Sequence, residues 1–164
     1  MEEMVDIVDE NDKAIKVVPW TEMHKNALLH RASNVILFNS KGEIFVHKRQ
    51  KNLLLYPSMW DVKIGGTARA GENYEECAKR ELMEEAGIKD AKLEYLFSLK
   101  LRTKENNNNK KVYKCTYNGK IKLNKKEIES GRFMSINDAE KLYNKGKVSP
   151  SGTQVFEKYL KLKC

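Results

Sequence analysis

Several features are missing from this sequence, and each absence excludes something. No apolar run approaches the roughly 20 residues that a helix needs to cross a bilayer, so a membrane-spanning helix is not expected. The acidic opening MEEMVDIVDENDK lacks the apolar core of a secretory signal. Cysteine is rare: Cys77, Cys115 and Cys164 stand far apart, odd in number and without a CxxC pair. That excludes a disulfide framework and a thiolate zinc site and points to a reduced, cytoplasmic protein. His24, His30 and His47 have no metal-ligand spacing and read as structural. Internal repeats and long linkers are also absent, so residues 1–164 read as one domain, with 1–30 as an N-terminal hairpin-and-helix extension. The net charge is +8 and the pI about 9.3, yet the lysines are scattered and no arginine-rich or aromatic-interleaved motif occurs. A lysine-rich solvated surface is the favoured reading, ahead of an anionic small-molecule partner and, last, RNA.

What is present is a succession of short patterned segments. MVDIVDENDKAIKVV reads as a hairpin turning at Asp9–Asp12, followed by a short helix over Glu22–Leu29 that Thr21 can cap. SNVILFNSKGEIFVHKRQ is a second hairpin, turning at Ser40–Gly42, and WDVKI is strand-like. AKLEYLFSLKLRT and KKVYKCTYNGKIK read as strands joined across KENNNN, whose asparagine run is expected at an exposed loop tip. EIESGRFMSI reads as a further strand, and NDAEKLYNKG and GTQVFEKYLKLK as closing helices. Strands on both sides of a central helix predict an α+β fold, a mixed β-sheet packed between helices.

The central helix concentrates negative charge. Asn73 and Glu76 form a capping-box pattern that starts it near Tyr74, and Gly87 is placed to stop it. At 100° per residue, Tyr74, Ala78, Glu81, Leu82 and Glu85 share one broad face, so Glu81 and Glu85 project beside the apolar stripe one turn apart, flanked by Glu84. Like charges at this spacing repel, and setting them beside a core adds a desolvation cost. No lysine precedes either residue by one turn, while Arg80 falls in line with Glu76 and Glu84. A divalent cation resolves the conflict, because magnesium prefers carboxylate oxygens completed by water and substrate phosphate. An exposed acidic helix without a role is the competing reading.

The residues around the helix decide between the two. Gly66, Glu72, Arg80-Glu81-Leu82, Glu84-Glu85 and Gly87-Ile88 fill every specified position of GX5EX7REUXEEXGU, where U is aliphatic, and so resemble the complete Nudix box. FVHKR, YPSMWDVKIGG and EIESGRFMSINDAEKL resemble other family segments, so that the likeness covers roughly residues 31–162. The opening DIVDENDKAI with the following helix and HRA resembles the subgroup related to isopentenyl diphosphate isomerase. The resemblance implies an α/β/α sandwich and hydrolysis of a diphosphate, in a nucleoside diphosphate derivative or related small molecule, with Mg2+ or Mn2+. It further implies that Glu81 and Glu85, with the Gly66 carbonyl, hold the metal. Glu84 then assists or orients water, Arg80 and Glu72 brace the helix, and Gly87 ends it.

Isomerase chemistry is disfavoured. The isomerases resembled here carry a catalytic cysteine and a metal-binding histidine where this chain has Gly65 and Thr67, and acidic ligands after the box where it has Asn and Lys around Asn106–Lys111. A non-catalytic nucleotide- or RNA-binding module is the other alternative. Outside the box, Arg49 is a candidate phosphate contact and Lys48 a weaker one. Glu127 and Glu129 are candidates for a distal ligand or base, although solvated edge positions suit their alternation with Ile128 better. Trp60 reads as core before a stacking role. The N-terminal hairpin leaves pairing into a homodimer open.

Overall fold

The computed structural model describes residues 1–163, so Cys164 lies outside the described residues. In chain order the elements are β1 (Met4–Val8), β2 (Ala14–Pro19), α1 (Trp20–Lys25), β3 (His30–Phe38), β4 (Ile44–Arg49), β5 (Trp60–Asp61), β6 (Ile64–Thr67), α2 (Tyr74–Ala86), β7 (Glu94–Arg102), β8 (Asn107–Thr116), β9 (Ile128–Met134), α3 (Ile136–Asn144) and α4 (Pro150–Lys163). The strands join one mixed, open sheet. β3 is its axis: it runs parallel to β8 over its whole length and antiparallel to β6 over Ala32–Val35, and it meets β1 at His30 and β4 at Phe38. β4 pairs in turn with β5 and β9.

The period-two alternation of β3 builds two cores. Val35 and Leu37 face α2, packing with Ala78, Leu82 and Ala86. Ile36 and Phe38 face α3 and α4, packing with Ala139, Val155 and Phe156. The mixed sheet between helices is therefore as expected. A third, small cluster of Val5, Ile7, Val18 and Met23 holds the N-terminal extension together, with the hairpin turn placed as the sequence indicates.

Four expectations are corrected. The first helix is Trp20–Lys25 and carries no side-chain cap: Pro19 is its N-cap, and Thr21 lies in the first turn, its N–H donating to Glu2 Oε1 at 2.8 Å. It stops early because Ala27 takes a positive φ of 48° that turns the chain toward β3. WDVKI is two strands, because the chain crosses at Val62–Lys63 from β4 to β3 as its hydrogen-bonding neighbour. Most of the asparagine run is strand: Asn107–Asn109 open β8, and Asn108 and Asn109 are buried. Buried amides need partners: Asn109 Oδ1 accepts from Arg102 Nη2 and Asn108 Nδ2 donates to Asn106 Oδ1, but Asn108 Oδ1 has no partner among the described residues, while the half-buried Asn107 donates to Ala27 O. At its other end β8 stops at Thr116, so NGKIK lies beyond the strand.

Candidate active site

α2 forms as its sequence dictates. Asn73 Oδ1 accepts from Glu76 N and Glu76 Oε2 accepts from Asn73 N, completing the capping box. Gly87 ends the helix in the left-handed conformation at φ 69°, its N–H bonded to Met83 O. Between these ends the face packed on the sheet is apolar except for Glu81 and Glu85, which are 8% and 7% exposed.

One arginine organises the carboxylates. Arg80 donates from Nε to Glu72 Oε1 at 2.8 Å and from Nη2 to Glu72 Oε2 at 2.9 Å. Its Nη1 reaches Glu81 Oε1 at 2.7 Å and Glu84 Oε2 at 3.1 Å, and its Nη2 also donates to Thr67 O. The helical alignment of Arg80 with Glu84 is thus realised. That Glu81 would have no cationic partner is corrected, because Arg80 is adjacent in sequence and bends back over it. Glu84 is shared: its other oxygen accepts from Arg69 Nη2 at 3.1 Å, and Arg69 also donates to Glu3 in the N-terminal extension.

Glu85 has no such arginine. Burial, and then the charges of Glu81 and Glu127, raise its carboxyl well above the ordinary range. Burial raises Glu81 to about 7 against the opposing pull of Arg80. Gly66 on β6 is pressed against Glu81: a Cβ there would lie 2.6 Å from Glu81 Oε1 and would displace its carboxylate. Among the described residues, no cluster of three or more His, Cys, Asp or Glu side chains stands arranged to hold a metal ion. Glu84 is turned to its two arginines, which leaves two buried carboxylates, Glu81 against the glycine and Glu85 one turn on. That set suits a hard cation which takes its remaining ligands from water and phosphate.

The carboxylates open into a pocket of about 400 Å³. At its mouth stand Trp20 and His24, stacked with ring centroids 4.9 Å apart, and the exposed Leu54 and half-buried Tyr56 also line it. Arg49 also lines it and donates from Nε and Nη2 to Leu55 O, which fixes the guanidinium at the wall. Glu127 is on the rim and exposed; its carboxyl is raised by partial desolvation and by the charge of Glu84. Glu129 instead pairs with Lys48 at 3.3 Å outside the pocket, and Trp60 packs against the core of α3 and α4. A solvated strand position therefore describes Glu129, while Glu127 lines the pocket.

The inner end is polar and closed. His30, Asn34, Asp61, Lys63, Asn108 and Lys110 line it, each at most 9% exposed. His30 Nδ1 is 2.9 Å from Leu28 O, and burial lowers the ring to about 4, so it is neutral and donates there. His47 lies behind the site, fully buried with Nε2 2.9 Å from Lys63 O. The structural reading of His47 is sound, whereas His24 and His30 also border the pocket. Lys63, Asp61 and Lys110 escaped the sequence reading. The first two alternate in WDVKI, a polar pair at one-residue spacing in an apolar segment, and that signal was available. Lys110 is hidden in a run of asparagines and lysines, where nothing separates a buried ammonium from a solvated one.

The family model described as NUDIX domain matches residues 28–156. An uncharacterised Nudix hydrolase of Pseudomonas aeruginosa is 42% identical over 91 residues, 56% of this chain and 54% of that protein. An uncharacterised Nudix hydrolase of Listeria monocytogenes is 30% identical over 128 residues, covering 74% of this chain and 73% of its own. The chain spans about half the length of the Pseudomonas relative and of a Streptomyces coelicolor one. Among solved structures, a Deinococcus radiodurans protein superposes with a TM-score of 0.83 at 22% identity, over 95% of this chain and 98% of that one. A C. elegans Ap4A hydrolase does so with a TM-score of 0.60 at 18% identity, over 80% and 96%. These two likenesses speak for the fold. Among the described residues, no helix is long and apolar enough to cross a membrane.

Proposed function

This chain belongs to the Nudix family, and we propose that it is a metal-dependent hydrolase that cleaves a diphosphate linkage in a nucleoside diphosphate derivative or related small molecule by water attack at phosphorus. The observation that carries this reading is the burial of Glu81 and Glu85 one turn apart, with Glu81 against Gly66. Two carboxylates kept at such a desolvation cost call for a cation. Glu81 and Glu85, with the Gly66 carbonyl, are the residues that would hold Mg2+ or Mn2+. When bound, such an ion neutralises phosphate charge and lowers the pKa of a bound water.

The rest of the work falls to the chain's own groups. Glu84, at the solvent-facing side of the pair, orients the attacking water and accepts its proton, and Arg69 and Arg80 fix its two oxygens. Arg80 and Glu72 brace α2 against the β6 loop. Arg49, anchored on Leu55 O with two of its N–H groups, has further donors for a phosphate oxygen. Glu127 is the distal carboxylate on the same pocket. The isomerase alternative finds no support at the same place: Gly65 and Thr67 supply neither thiol nor imidazole, and the inner wall beyond them holds an ammonium at Lys110.

The test is a panel of nucleoside di- and triphosphates, nucleotide sugars and dinucleoside polyphosphates, followed by phosphate or nucleotide release with magnesium, manganese or chelator. Glu81→Gln and Glu85→Gln should each lose roughly a hundredfold or more of the metal-dependent rate. Near-wild-type turnover by both variants would sink the assignment.

A further inference from the structure

Lys110 is one of the largest fully buried side chains of the protein, 2% exposed, and its Nζ donates to Ser151 Oγ at 2.8 Å. No carboxylate lies within ion-pairing distance of it among the described residues. The nearby acid, Asp61, is already committed: Lys63 Nζ lies 3.4 Å from Asp61 Oδ2, the same oxygen accepts from Ser149 Oγ, and Asp61 Oδ1 accepts from Val62 N. The closed end of the pocket therefore holds two lysine amines and one satisfied carboxylate. An ammonium has three donors, and Lys110 spends one on a neutral hydroxyl. A buried cation left this way is costly unless an anion joins it. Consistently, burial and the charge of Lys63 push Lys110 down to about 7.

The pocket itself says which part of a substrate arrives there. Leu54 and Glu3 in the lining are exposed, whereas Lys110 and Asn108 are buried, so the lysines stand at the sheltered end of the pocket. The carboxylates of α2 lie along the same cavity, and Lys63 is close enough to Glu85 to draw its carboxyl down. The stacked Trp20 and His24 stand at the opening.

We infer that Lys110 and Lys63 form an oxyanion subsite for the terminal phosphoryl group of the substrate, which enters first, while the organic part stays at the mouth against Trp20 and His24. This rests on the diphosphate-hydrolase reading and narrows it to substrates with an unblocked terminal phosphoryl group, such as nucleoside di- and triphosphates. Dinucleoside polyphosphates and nucleotide sugars, blocked at both ends, cannot seat a second organic group against the buried lysines.

Two measurements test the subsite. The first is independent of turnover: titration of inorganic pyrophosphate into the full chain in chelator, read by calorimetry and thermal shift, for the wild type, Lys110→Met and Ser151→Ala. Wild type should bind, Lys110→Met should bind roughly tenfold or more weakly, the loss of one charge-assisted contact, and Ser151→Ala should fall between. Methionine is apolar and of similar length, so the fold should survive; if it does not, Ser151→Ala carries the test. Equal binding by wild type and variants overturns the proposal, as does absence of binding by the wild type. The second is kinetic, with ADP and ATP against diadenosine tetraphosphate and ADP-ribose. Lys110→Met should raise KM for ADP roughly tenfold with a much smaller change in kcat, and the wild-type preference for unblocked substrates should disappear. A wild-type preference for the blocked substrates overturns the subsite while leaving hydrolysis standing. Pyrophosphate binding without turnover of any substrate overturns the hydrolase reading and leaves the subsite.

Discussion

Arg69 Nη2 lies 3.1 Å from Glu84 Oε1, and the same guanidinium donates from Nε to Glu3 Oε1 at 2.9 Å. A residue of the N-terminal extension thereby reaches the carboxylate proposed to orient water. Further ties hold the hairpin to the loop ahead of α2 and to the helix's first residue: Ala70 N donates to Met4 O, Gly71 N to Asp6 Oδ2, and Tyr74 Oη to Asp12 Oδ2. Arg69→Ala should cost at most about 1 kcal/mol of stability, because the pairs are solvent-exposed. It should still lower the hydrolytic rate severalfold by freeing Glu84. Denaturant melts read beside initial rates would separate the two effects, and an unchanged rate would show that Arg69 does not position Glu84.

Arg80 is different because its partners are sheltered: its side chain is 12% exposed, Glu72 13% and Glu81 11%. Arg80→Ala leaves these acids without their cation, and breaking such a cluster costs on the order of 3–5 kcal/mol. Arg80→Lys cannot reproduce the two-pronged grip on Glu72 and should recover only part of the loss. Chemical denaturation of the three proteins in chelator would measure both.

Gly66→Ala places a Cβ 2.6 Å from Glu81 Oε1. Glu81 must rotate away, so hydrolysis and metal binding should fall together. Gly87→Ala instead strains a left-handed cap at φ 69° and should cost about 1 kcal/mol with activity retained. If Gly66→Ala keeps wild-type metal affinity by calorimetry, the close packing is not part of the site.

The carboxylates also set a pH dependence. Glu81 is raised to about 7 and Glu85 well above its ordinary value, so between about 4.5 and 7 the folded chain holds protons that the unfolded chain has released. Stability linked to these groups is present below about pH 4.5 and is lost as pH rises through their folded pKa values. In chelator, wild type should lose melting temperature from pH 5 to pH 8 relative to Glu85→Gln. Magnesium should restore it more for wild type than for the variant. Parallel melting curves would contradict the assignment of Glu85.

Lys110 sets the opposite slope. Its folded value is about 7 against about 10.4 unfolded, so between these values the unfolded chain holds a proton that the folded chain lacks. Its linked stability therefore rises with pH across that window and is lost on acidification toward pH 7. Lys110→Met should exceed wild type in stability most clearly at pH 6–7, with the gap closing toward pH 10. A gap independent of pH would mean that the ammonium is not desolvated.

The helix that carries the carboxylates was legible in the sequence because its determinants are local. The Asn73–Glu76 cap, the stop at Gly87 and the face shared by Ala78, Glu81, Leu82 and Glu85 depend on neighbours within a few residues, and the structure reproduces each. The alternation of Val35 and Leu37 with Ile36 and Phe38 likewise marks a strand buried on both faces. The rest was decided by contacts across long sequence separations. Asn108 and Lys110 are polar residues in a polar run, and β8 buries them only because it pairs in parallel with β3 across the sheet. Glu127 and Glu129 are chemically identical and two residues apart. Glu127 stands on the pocket rim because β9 docks on β4 in a register that shifts at Lys48/Arg49, while Glu129 is left to Lys48. Sequence alone placed Glu81 and Glu85, the residues proposed to hold a cation, one turn apart on one helix face, because that depends only on local spacing. Which charges would face them across the pocket was decided by the tertiary fold, because burial and distance between remote segments exist only once the sheet is assembled.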